Sequence, residues 1–78
     1  MTEQDINLKL KLIKNELKRH LKILVDDPIQ NSATLIAMEN VGKIMYMTDR
    51  VIDRKIPENE IESSIEFLEE YIKKINQK

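Results

Sequence analysis

Three lines of apolar residues, each advancing by alternating steps of four and three, limit most strongly what this chain can fold into. Ile6, Leu10, Ile13, Leu17, His20 and Leu24 form the first line. Ala37, Val41, Ile44, Thr48 and Val51 form the second, and Ile61, Ile65, Leu68, Ile72 and Ile75 the third. Such steps keep side chains on one face of an α-helix. Three amphipathic helices therefore have to bury their faces against one another.

Local signals set the expected boundaries. The first helix should run from about 2 to 25, with Thr2 as N-cap and Glu3 and Asp5 beside the positive helix end. Asp27 precedes Pro28 and is pushed out of the helical region, which ends it. The second should run from about 32 to 55, capped by Asn31 or Ser32. The third should run from about 58 to 76, with Pro57 in its first turn and Asn59 and Glu62 resembling a capping box. Short connections make consecutive helices antiparallel neighbours. The expected fold is an all-α, up-down-up three-helix bundle forming a single domain over 1–78. The second helix is apolar over a wide arc: Ala33, Ile36, Ala37, Met38, Val41, Ile44, Met45, Met47, Val51 and Ile52. It is therefore expected at the centre. Gly42 breaks the pattern, because a mid-helix glycine costs roughly 1 kcal/mol against alanine. It marks a candidate kink or break.

Composition narrows the function classes. A chain of 78 residues leaves little room for a deep substrate cavity. Without cysteine there is neither a disulfide framework nor a thiolate metal site. The polar, acidic start does not read as a signal peptide, and no apolar run approaches membrane-spanning length. A cytoplasmic protein is expected. Abundant isoleucine and lysine with little alanine fit an AT-rich bacterial, phage or mobile-element coding sequence. Residues 1–25 carry six basic and three acidic side chains, and residues 57–78 the reverse, three and six. The first and third helices should attract each other modestly.

No catalytic, nucleotide or metal motif is present. His20 is the only histidine and lies on a core-type line, so a half-buried residue at the bundle edge is expected rather than a ligand. An enzyme would need arginines clustered at an interface, and Arg19, Arg50 and Arg54 are the only ones. No enzymatic activity, cofactor or metal is expected.

Three surface patterns remain. Leu35, Glu39, Gly42, Tyr46, Asp49 and Asp53 follow four-three steps opposite the apolar arc of the second helix. This acidic strip with an aromatic anchor is the candidate partner-binding surface. Leu8, Leu12 and Ile23, with Arg19 among them, form a second apolar stripe on the first helix. Either the third helix covers it or it serves self-association as a homodimer. Lys11, Lys14, Lys18 and Lys22 form a basic stripe that could contact phosphates. Few aromatics and a net acidic chain weigh against nucleic-acid readout. The leading expectation is a non-enzymatic regulator or inhibitor that occludes a surface of another protein. A nucleic-acid-binding module using the lysine stripe is the alternative, and no membrane partner is expected.

Overall fold

The computed structural model describes residues 2–77. Three helices account for most of them: α1 (Glu3–Asp26), α2 (Ser32–Ile52) and α3 (Ile61–Asn76). A short 3-10 turn, Glu58–Glu60, leads into α3.

The caps follow local chemistry. The Thr2 hydroxyl accepts from the Asp5 N–H at 3.1 Å, and the Asp5 carboxylate accepts from the Thr2 N–H at 3.4 Å, closing a capping box. The Asn31 side-chain oxygen accepts from the Thr34 N–H at 3.0 Å and starts α2. Asn59 does not cap α3. It lies inside the 3-10 turn, and α3 begins behind Glu60 with no side-chain cap bond.

The second helix ends at Ile52, three residues before the expected limit. Asp53 is its C-cap and Arg54 follows with φ 56°, the left-handed region. The Lys55 N–H donates to the Arg50 carbonyl at 2.8 Å and the Arg54 N–H to the Val51 carbonyl at 3.1 Å. This is a Schellman ending with arginine where glycine is usual. The Arg54 guanidinium adds bonds to the Val51 carbonyl (2.7 Å) and to Asn7 Oδ1 (3.0 Å), and it reaches Glu3. It thus joins the end of α2 to the start of α1. Gly42 causes no break: α2 is continuous through it.

Cross-links give the topology. Glu3 meets Arg54 while Lys14 meets Asp49, so α1 and α2 run antiparallel. Lys9 meets Glu69 (3.9 Å) while Arg19 Nη2 donates to Asn76 Oδ1 (3.1 Å), so α1 and α3 run parallel. The expected attraction between these two helices comes down to one long ion pair among the described residues.

The expected central position of helix 2 is not observed. It is α1 that packs extensively on both neighbours, while α2 and α3 meet over a smaller contact. The wide arc of α2 misled because it counted residues such as Ile36, which is 58% exposed.

The core comes from the three four-three lines. Leu10, Ile13 and Leu17 of α1 pack with Val41, Thr48 and Val51 of α2 and with Ile61, Ile65 and Leu68 of α3. Thr48 is fully buried, and its hydroxyl donates to the Ile44 carbonyl at 2.8 Å, leaving no orphaned polar atom. All these residues lie toward the turn between α2 and α3. No residue from 18 to 40 is buried.

Candidate partner-binding surface

The outer face of α2 divides into a free part and a tied part. Leu35 is 54% exposed and Tyr46 64%. Glu39 and Gly42 are exposed between them, and among the described residues Glu39 pairs only with Lys43 one turn on (3.3 Å). The Tyr46 hydroxyl accepts from Arg50 Nη1 at 3.4 Å, with the guanidinium 5.9 Å from the ring centre. Arg50 therefore steadies the ring from one side.

The acidic end of the expected strip differs from its sequence reading. Asp49 Oδ1 lies 2.7 Å from Lys14 Nζ, so it belongs to the seam between α1 and α2. Asp53 has left the helix and is exposed at its end. The neighbouring Arg50 and Arg54 do not pair with these aspartates. Arg50 Nη2 donates to the Lys55 carbonyl at 3.2 Å, and Arg54 holds α1. The coherent surface is Leu35, Glu39, Gly42 and Tyr46, joined by Arg50, which the four-three line did not include. Its i, i+4 spacing from Tyr46 was the available signal.

Gly42 has no internal reason to be glycine. Its φ is not positive, and a Cβ built there meets nothing within 4 Å beyond its chain neighbours and the backbone of its own helix.

The second stripe on α1 remains open. Leu8, Leu12 and Ile23 are 58%, 56% and 55% exposed, so α3 does not cover them. Arg19 is held by Glu16 (2.9 Å) as well as by Asn76. That bond is the main cause of a lowered Glu16 pKa. Of the four stripe lysines only Lys14 is salt-bridged among the described residues. Lys11, Lys14 and Lys18 line the groove between α1 and α2 together with Ile52.

His20 is half-buried and lines a depression with Arg19, Ile23, Ile75 and Asn76. Among the described residues no cluster of three His, Cys, Asp or Glu side chains could hold a metal ion. No described helix is long and apolar enough to cross a membrane. No protein family, no curated protein and no solved structure matches the chain.

Proposed function

We propose that this chain is a small non-enzymatic regulator or inhibitor that binds another protein through the outer face of α2 and occludes it. The observation that carries this reading is Gly42. A glycine there weakens α2 by roughly 1 kcal/mol against alanine. Nothing inside the chain needs its small size. A missing side chain between exposed Leu35 and exposed Tyr46 lets a partner's backbone or side chain approach the helix closely. Tyr46 is the anchor, an aromatic ring of the type that dominates binding at interface centres. A cytoplasmic setting and self-association through α1 belong to the same reading.

The test is capture from an extract of the native cells. Immobilised parent chain and Tyr46→Ala are compared after both show equal helicity. A protein retained by the parent and lost by the variant supports the reading. Equal retention of the same proteins by both removes the α2 face from it.

A second reading is favoured by one observation: Lys11, Lys18 and Lys22 are exposed with no carboxylate partner among the described residues. They could contact phosphates of a nucleic acid. Titration of labelled duplex and single strands at low and moderate salt tests it. Salt-sensitive micromolar binding supports it, and no binding at low salt ends it.

A further inference from the structure

The exposed side of α1 is an apolar ridge between a basic margin and a mixed one whose excess of glutamates lies on α3. Leu8, Leu12 and Ile23 form the ridge. On one side Lys11, Lys14 and Lys18 line the groove toward α2. On the other, Leu12 borders Lys9, Glu16, Glu69, Ile72 and Lys73 in the groove toward α3, where Lys9 is paired with Glu69. Beyond it, Glu66, Glu69 and Glu70 gather with Lys73 on the outer side of α3. Glu66 has no salt bridge among the described residues, and Glu70 has only the exposed Lys73, at 3.7 Å.

Such a surface complements a second copy of itself under one symmetry only. A two-fold axis along α1 exchanges left and right, so each basic margin meets the other copy's acidic margin, and the two α1 helices run parallel. An axis across α1 makes the helices antiparallel and leaves each margin on its own side. Lysines then face lysines and glutamates face glutamates. The heights also agree with the parallel arrangement. The Lys9–Glu69 pair places residue 69 of α3 beside the first half of α1, within one helical turn of Lys11. The guanidinium of Arg19, the charge on the ridge itself, is already paired with Glu16 and donates a hydrogen bond to Asn76.

We propose that the chain forms a homodimer with α1 parallel to α1, Leu8 and Leu12 meeting their own counterparts and Lys11 facing the acidic margin of α3 in the second copy. A two-fold contact of this kind is self-complementary by construction. This inference rests on the self-association included in the proposed function and assigns it an orientation and a pairing of charges.

The chain has no cysteine, so a single introduced thiol reports on the geometry. A disulfide needs Cα atoms within about 7 Å. Under mild oxidation, Leu12→Cys alone should give a covalent dimer, and Leu8→Cys alone should do the same. Sedimentation of the uncross-linked parent at tens of micromolar should show a dimer that weakens with salt. Lys11→Glu should raise its dissociation constant roughly tenfold, because two symmetric pairs become repulsive. Adding Glu66→Lys and Glu70→Lys should recover most of that loss. A parent that stays monomeric overturns self-association itself. A dimer in which Leu8→Cys links only to Ile23→Cys overturns the parallel orientation and leaves self-association standing. A dimer with no cross-link at any of these positions overturns the α1 ridge as its interface.

Discussion

Lys14 Nζ stands 2.7 Å from Asp49 Oδ1, joining the middle of α1 to the last turn of α2. Both side chains are partly exposed, at 32% and 46%, so the pair contributes at most about 1 kcal/mol. Asp49→Lys puts two like charges across the seam. The melting temperature should fall by a few degrees, since about 1 kcal/mol corresponds to ~4–8 °C in a domain of this size. The exchanged pair, Lys14→Asp with Asp49→Lys, should regain most of the loss. Thermal unfolding followed by circular dichroism separates the two outcomes. An effect of Asp49→Lys on partner binding has to be judged against this shift.

Gly42→Ala should stabilise the chain by about 0.5–1 kcal/mol, because the position is helical, exposed and uncrowded. If the outer face of α2 receives a partner, the same change should weaken binding, as the added methyl group holds the partner off. A variant that melts higher and binds less well would be gained stability traded against function. Unchanged or tighter binding would show that the glycine serves no interface.

Arg54 combines two opposing effects. Its left-handed backbone is unfavourable by about 1 kcal/mol for a residue other than glycine. Its guanidinium bonds the carbonyls of α2 and the side chains of Asn7 and Glu3. Arg54→Ala loses those bonds and keeps the strain, whereas Arg54→Gly loses the bonds and the strain together. The glycine variant should therefore unfold at higher urea than the alanine variant, by about 1 kcal/mol at similar m-value. Equal midpoints would mean that the strain is absent.

The capping box at Thr2 makes stability depend on acid. The Asp5 carboxyl is held below its ordinary pKa, first by its hydrogen bonds with Thr2. A group depressed in the folded state contributes stability that is full above its unfolded pKa, about 4, and lost as pH falls through the folded value. Asp5→Asn should lower the melting temperature near neutral pH. The gap to the parent should narrow below about pH 4 and close at lower pH. A gap that stays constant down to pH 2 would contradict the assignment.

The three-helix fold was legible because burial follows the four-three lines. Every buried residue belongs to one of them. The caps at Thr2 and Asn31 were legible because a side chain reaches only local amides. The site was harder, for a geometric reason. A strict four-three line drifts about 20° per seven residues on an α-helix. Between Leu35 and Asp49 that drift carries the strip toward α1, where Lys14 takes the aspartate. Asp53 was lost because the chain leaves the helix at an arginine, with no glycine to announce it. The central helix was misread because an apolar arc records composition, whereas Ile36 at 58% exposure shows that part of the arc reaches water.

The off-centre core divides the bundle into halves of unequal permanence. Leu10 to Leu17, Val41 to Val51 and Ile61 to Leu68 lock one another, whereas the stretch from residue 18 to residue 40 has no buried side chain. Helix ends with little burial open locally at free energies well below that of global unfolding. Amide hydrogens of Leu21–Leu24 and Ile36–Asn40 should thus exchange with solvent through frequent fraying of the α1–α2 hairpin, while those of Val41–Val51 and Ile65–Leu68 wait for the whole chain to unfold. Leu35 lies in the fraying half and Tyr46 in the locked half, so a partner gripping both would slow exchange at one end of its footprint and leave the other as it was.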